Sequence, residues 1–186
     1  MTIADKKPLK FNKIQKSVLL IAFIGLIGTL IYMKIKPDLQ IIVNKKDVIV
    51  SETIENDGEK VIEIKDKEKI DVIELFPETM TDGEVQNAIH QMSHQKVKAD
   101  KKWGMIPLTK ERVIRLIDVV EGNKDNFKHE STYLQILNRW KVDDFSRVDE
   151  DHNSIWALQN GTVGRATGIL TYEEELRFIS KYFNVN

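Results

Sequence analysis

The chain has no cysteine among its 186 residues. That excludes disulfides, a cysteine nucleophile, a cysteine zinc site and a lipid-modified cysteine. Proline is also scarce, with four in all, and neither an internal repeat nor a low-complexity segment occurs. No Gly-x-Ser-x-Gly elbow and no Ser/His/Asp signature is present. Carboxylate pairs are abundant, and on so acidic a surface they carry no information. A net charge is almost missing too, at −1, but the balance is local. Residues 1–37 hold seven Lys and one Asp, a charge of +6; residues 38–186 hold 21 Lys/Arg and 28 Asp/Glu, a charge of −7. A chain divided in this way is not expected to be one uniform soluble globule. The acidity of the larger part disfavours nucleic acid, because phosphate is repelled.

What the N-terminus does have is one uncharged apolar run, Ser17–Met33, behind Lys6, Lys7, Lys10, Lys13 and Lys16. As a helix it rises roughly 25 Å, the short end of what crosses a hydrocarbon core. Lys16 and Lys34 flank it and Tyr32 suits the membrane interface. No small-x-small cleavage site follows, so an uncleaved signal anchor is preferred to a cleaved signal peptide. A buried soluble helix would need no lysine clusters. The lysine bias places residues 1–16 in the cytoplasm as a short stub, and the rest of the chain outside it, as a single-pass membrane protein. Ala22, Gly25 and Thr29 are small residues that could share a helix face, so the span is a candidate for weak homodimerisation.

Residues 38–78 read as a β-rich spacer or small sheet. Leu39–Val43, Val48–Val50, Val61–Ile64 and Ile70–Leu75 are Ile/Val-rich, and Asn56-Asp57-Gly58 is a hairpin signal. Lys65–Lys69 reads as a solvated turn. From Met80 the period changes to 3.6. Thr81-x-x-Glu84 and Thr171-x-x-Glu174 are capping boxes, and Thr109 and Ser146 are further cap candidates. Helices are expected at about 83–98, 110–121, 126–141, 147–159 and 172–183. The fold class is therefore mainly α: an N-terminal transmembrane helix, a short β-hairpin region, and a bundle of about five helices over residues 80–186.

The candidate site residues fall in this bundle. His90 and His94 stand at i, i+4, so both rings can reach one metal ion, with His129 or His152 as a third ligand. The acid that a zinc-protease helix carries beside the first His is missing, and a polar helix flank is the preferred reading. Asp149-Glu150-Asp151-His152-Asn153 has oxygens at the first, third and fifth places of a calcium loop. It lacks the Gly and Glu such a loop needs, so an acid-rich first helical turn is preferred. The glycines of Gly161–Gly168 lack a P-loop ending and are expected to let the loop pass close to packed helices. Arg165 in that loop is expected to brace the 149–151 carboxylates, with an acidic partner as the alternative. Trp140 and Trp156 fit helix core faces. Trp103, after Lys101 and Lys102, is expected to pack, although an exposed aromatic beside cations suits a membrane surface or a partner. No motif calls for a cofactor.

The stretch Met80–Gly104, MTDGEVQNAIHQMSHQKVKADKKWG, resembles a family of small uncharacterised proteins of Bacillus-type bacteria. So does the later run ILNRW, DFS and DHNSIWALQNGTVGRATG. The resemblance implies an N-terminal span followed by a helical domain of unknown function at a Gram-positive cell surface, and it assigns no activity. The expected function is a non-enzymatic envelope module that binds another envelope protein or a neutral glycan. Its contact patch would be His90, His94, Gln95, Lys101, Lys102 and Trp103, or the 147–168 region. The alternative is a metal-dependent envelope hydrolase using His90, His94 and His152.

Overall fold

The β-branched alternation after residue 46 makes strands, as its period of 2 demands. In the computed structural model, which describes residues 47–54 and 60–185, β1 (Asp47–Ile54) and β2 (Lys60–Asp66) pair antiparallel from Val48↔Asp66 to Ile54↔Lys60. Val48, Ile62 and Ile64 turn into the core. The stub, the Ser17–Met33 span, the Leu39–Val43 strand and the Asp57-Gly58 turn lie outside the described residues. Among the described residues no helix is long and apolar enough to cross a membrane.

Two β-region expectations are corrected. Lys65 and Asp66 belong to β2 and not to a turn. The apolar stretch at 70–75 is a helical turn, α1 (Val72–Leu75), because the Asp71 carboxylate accepts the backbone N–H groups of Ile73 and Glu74. That local cap competes successfully with strand propensity, and it leaves Ile73 62% exposed.

Five longer helices follow: α2 (Asp82–Ser93), α3 (Lys110–Gly122), α4 (Glu130–Lys141), α5 (Val148–Leu158) and α6 (Tyr172–Tyr182). Both capping boxes form, and Thr109 caps α3. Ser146 does not cap α5; its hydroxyl donates to Asp144, and Arg147 takes the cap position without a side-chain bond. A 3-10 turn at Lys124–Asn126 delays the start of α4. Helix α2 stops at Ser93 because the chain leaves it to form β3 (Val97–Lys98). That strand pairs antiparallel with β4 (Gly168–Ile169), a ladder without a sequence signal. A last strand, β5 (Asn184–Val185), lies parallel to β1 and completes the order β2-β1-β5.

The described residues fall in one compact unit. The sheet packs against Phe178, Ile179 and Phe183 at the α6 end. A larger core gathers Ile89, Met92, Leu116, Tyr133, Leu137, Trp140 and Ile155 from α2 to α5. Two buried ion pairs cross between sheet and helices. Arg112 of α3, fully buried, grips Asp66 of β2 through both guanidinium ends at 2.8 and 2.9 Å. Lys96 meets Glu175 of α6 at 2.7 Å. Removing one member of a buried pair leaves an uncompensated charge. Asp66→Asn is therefore expected to cost about 3 kcal/mol, read as a lowered urea midpoint, while the exposed pair partner Glu150→Gln stays within about 0.5 kcal/mol of the parent.

Candidate functional site

The i, i+4 spacing puts His90 and His94 on one face of α2 and just past its end, and α5 packs across that face. His152 on α5 completes a cluster. Ring centroids are 4.9 Å apart for His90–His94, 4.3 Å for His90–His152 and 5.4 Å for His94–His152. One ligating atom from each of the three lies within 4.8 Å of the others. His94 and His152 are buried and His90 is half-buried. The fourth histidine, His129, stays apart at the start of α4 beside Tyr133.

Each ring is oriented by an oxygen that can only accept. His94 Nδ1 meets the Gly104 carbonyl at 2.7 Å, and His152 Nε2 meets the Gly164 carbonyl at 3.0 Å. His90 Nδ1 meets Gln159 Oε1, and the Gln159 amide is held by donating to Asn87. The nitrogen facing each oxygen must therefore carry the proton. A neutral ring then keeps its lone pair on the other nitrogen: Nε2 of His90, Nε2 of His94 and Nδ1 of His152. The last is 2.8 Å from the hydroxyl of Ser93, which also reaches the His90 carbonyl at 2.6 Å. One hydroxyl proton thus has two acceptors to choose from.

The rings are held neutral. Burial pushes His94 down to about 3, and the charges of His90, His152 and Lys102 add to this against the Gly104 hydrogen bond. Burial pushes His152 down to about 4, with His90 and Lys102 contributing. His90 is lowered by burial, opposed by its Gln159 bond. Lys102 itself is pulled down to about 8 by burial, its ammonium donating to the His94 carbonyl at 2.8 Å.

Two glycine-bearing loops supply the carbonyls. Gly104 and Gly164 both have positive φ, 77° and 81°, where a side chain is strained. A Cβ on Gly164 would also stand 2.6 Å from the Lys101 backbone oxygen. Of the Gly161–Gly168 loop, expected to pass close to packed helices, Gly161 lies against Trp156 of α5 and Gly164 against the Lys101 backbone, whereas Gly168 has open space. Beside the cluster, a pocket of about 450 Å³ is lined by His90, His94, Lys101, Trp103, Trp156 and Gly164 together with amide side chains.

Other expected site residues are placed differently. Trp103 does not pack in the core; it is 70% exposed at the pocket. Trp156 is only half-buried, lying against Gly161 and donating to the Val163 carbonyl. Arg165 is exposed and, among the described residues, braces no carboxylate. Asp151 is instead spent inside the fold, accepting from Arg139 and from Trp140 Nε1 at 3.0 Å. Asp149 is half-buried and Glu150 exposed in the first turn of α5, as an acid-rich helix start requires. Lys102 is half-buried, its ammonium over the Phe178 ring. Sequence reasoning missed Ser93, Gln159 and the carbonyl role of Gly104 and Gly164.

Two outcomes follow from this geometry. The unfolded histidines titrate near their ordinary 6.5, whereas folded His152 and His94 take up protons only near 4 and 3. Between those values the unfolded chain binds more protons, so their contribution is complete above 6.5 and is lost as pH falls. Metal-free protein should lose up to about 1.4 kcal/mol per pH unit for each such histidine below that point, measured as urea midpoints down to pH about 4; His152→Gln should flatten the slope. Gly164→Ala should cost about 1–3 kcal/mol through its positive φ and its clash with Lys101, and a thermal melt reads it.

No curated protein and no solved structure matches the chain significantly. Residues 89–180, which contain all three clustered histidines and both carbonyl-donating loops, match a family of unknown function (DUF6241).

Proposed function

We propose that residues 38–186 form an extracytoplasmic domain, held to the membrane by the Ser17–Met33 anchor with its N-terminus inside, and that this domain binds a transition-metal ion through His90, His94 and His152. One observation carries the metal reading. Three neutral imidazoles converge, each with its N–H parked on an oxygen; the lone pairs of His90 and His94 are left over, and that of His152 faces only the Ser93 hydroxyl, which has a second acceptor. Second-layer hydrogen bonds of this kind orient metal-binding histidines and select their tautomer. Among the described residues the Nε2 atoms of His90 and His94 have no protein donor, and both rings line the pocket, where an ion can reach them.

Imidazole sets suit zinc, copper, nickel or cobalt over calcium or magnesium. Nitrogens on a tetrahedral zinc lie about 3.3 Å apart, from bonds of about 2.0–2.1 Å. The present spread of up to 4.8 Å means that the rings close inward on the ion. Ser93 permits that movement: when His152 Nδ1 turns to the metal, the hydroxyl proton keeps the His90 carbonyl as its acceptor. No carboxylate lines the pocket among the described residues, so a general base for hydrolysis is not at hand. This favours a metal-anchored binding module of the envelope over the hydrolase alternative, with another envelope component as partner.

Zinc titration of the purified full chain, followed by calorimetry, tests the reading. One ion per chain is expected, with a rise in melting temperature. His94→Ala and His152→Ala should each weaken binding at least about tenfold, the scale of losing a ligand or its support. Ser93→Ala should lose about 1–2 kcal/mol of metal-free stability yet bind zinc as tightly as the parent. Parent-like zinc affinity in both histidine variants would sink the proposal.

A further inference from the structure

We infer that the metal-loaded pocket captures an oxyanion, a carboxylate or phosphate-type group borne on an otherwise neutral body, as the fourth ligand of the ion. The inference rests on the metal reading above and goes beyond it by naming what the site takes.

Charge decides the class. A divalent ion held by three neutral imidazoles keeps its full double charge, because nothing in that ligand set cancels it. Sites that hold an ion for structure usually close with four protein ligands, often thiolates. Here the chain has no cysteine, and no Asp or Glu appears among the residues lining the pocket. The walls offer neutral groups, Asn87, Gln91, Gln159, Asn160 and Thr162, and a single charged side chain, Lys101. Lys102 adds a second ammonium behind His94. Every charge lining the pocket is therefore positive once the ion is bound, the nearby carboxylates Asp151 and Glu174 being paired with Arg139 and Lys98. In a half-buried setting such a charge must be answered, and the opening is the place left for the answer.

Direction comes from burial. His152 is fully buried and does not line the pocket, whereas His90 and His94 do. A position left open by the three rings would therefore face the pocket mouth. A volume of about 450 Å³ exceeds what one water needs and admits a small group with a body attached. Trp103, 70% exposed at the same pocket, offers that body a flat apolar face.

The −7 charge of residues 38–186 works at longer range. Beyond about 10 Å it is largely screened at ordinary salt, but a long polyanion lying on the surface would still meet it. A single oxyanion on a neutral body meets only the local positive field.

Cobalt substitution tests this directly. The full chain is loaded with cobalt(II), whose visible absorption reports the fourth ligand, and titrated with acetate, methylphosphonate and a neutral sugar. A saturable spectral change with either anion and none with the sugar is expected, and the anion that acts more tightly identifies the source. Lys101→Ala should weaken anion binding about two- to fivefold, the scale of an exposed charge contact, with cobalt affinity unchanged. A cobalt spectrum indifferent to both anions, or one shifted equally by the sugar, overturns the oxyanion inference while leaving the metal reading intact. Failure to retain cobalt at all overturns the metal reading itself. A Lys101→Ala spectrum and anion affinity identical to the parent would count against the cationic wall.

Discussion

A charge taken out of water has to be answered where it sits, and Lys96 is answered from three directions. Its ammonium lies 2.7 Å from Glu175 of α6, 3.2 Å from the Ile62 carbonyl of β2, and over the Phe145 ring at 4.5 Å. Gln95 beside it donates to the same Glu175 and accepts the backbone N–H of Leu108. Sheet, C-terminal helix and the loop leaving α2 are thereby held at one point. The Lys96 backbone carbonyl then accepts Leu170 N–H, which starts the β3–β4 ladder. Such a pair contributes little net stability against an apolar alternative, but it fixes geometry, since any other arrangement strands a charge.

The histidine cluster inherits its positions from that anchor. His94, Gln95 and Lys96 are three consecutive buried polar residues. Holding the last two holds the first. The ladder they start brings the 161–168 loop across to α2, so that Gly164 can meet His152 while its own backbone touches Lys101. Asn153 secures the other side of the loop by bonding Ala166 at both its N–H and its carbonyl. The rings are thus oriented by main-chain carbonyls whose own placement is set by ordinary packing.

The helices were legible because their signals are local. Thr81/Glu84 and Thr171/Glu174 satisfy orphan N–H groups within one turn, and no distant contact is needed to read them. The stretch at 70–75 was misread because its β-branched composition is a weak vote, which one aspartate cap overturns. Thr109 capped as its position promised, whereas Ser146 found a competing acceptor in Asp144 that spacing alone does not reveal. His90 and His94 announced themselves by an i, i+4 interval. His152 was only one of two possible third members, because the choice depends on which helix crosses α2. The carbonyl partners were invisible for a simpler reason: every residue has a carbonyl, and a glycine marks unusual backbone without saying what it serves. Trp103 and Trp156 show the opposite failure, where hydrophobicity suggests burial and the neighbouring loop leaves room only at the surface.

One remaining feature bears on how the chain reaches this state. Strand β5 pairs with β1, so Asn184 touches Asp47 across 137 positions of sequence. The apolar edge formed by Val48, Ile62 and Ile64 is covered by residues from Phe178 onward. Contacts of such separation form late and slowly, because the intervening loop must close before they repay its entropy. A chain that emerges N-terminus first would therefore hold its sheet uncovered until the segment from Phe178 to Val185 is free.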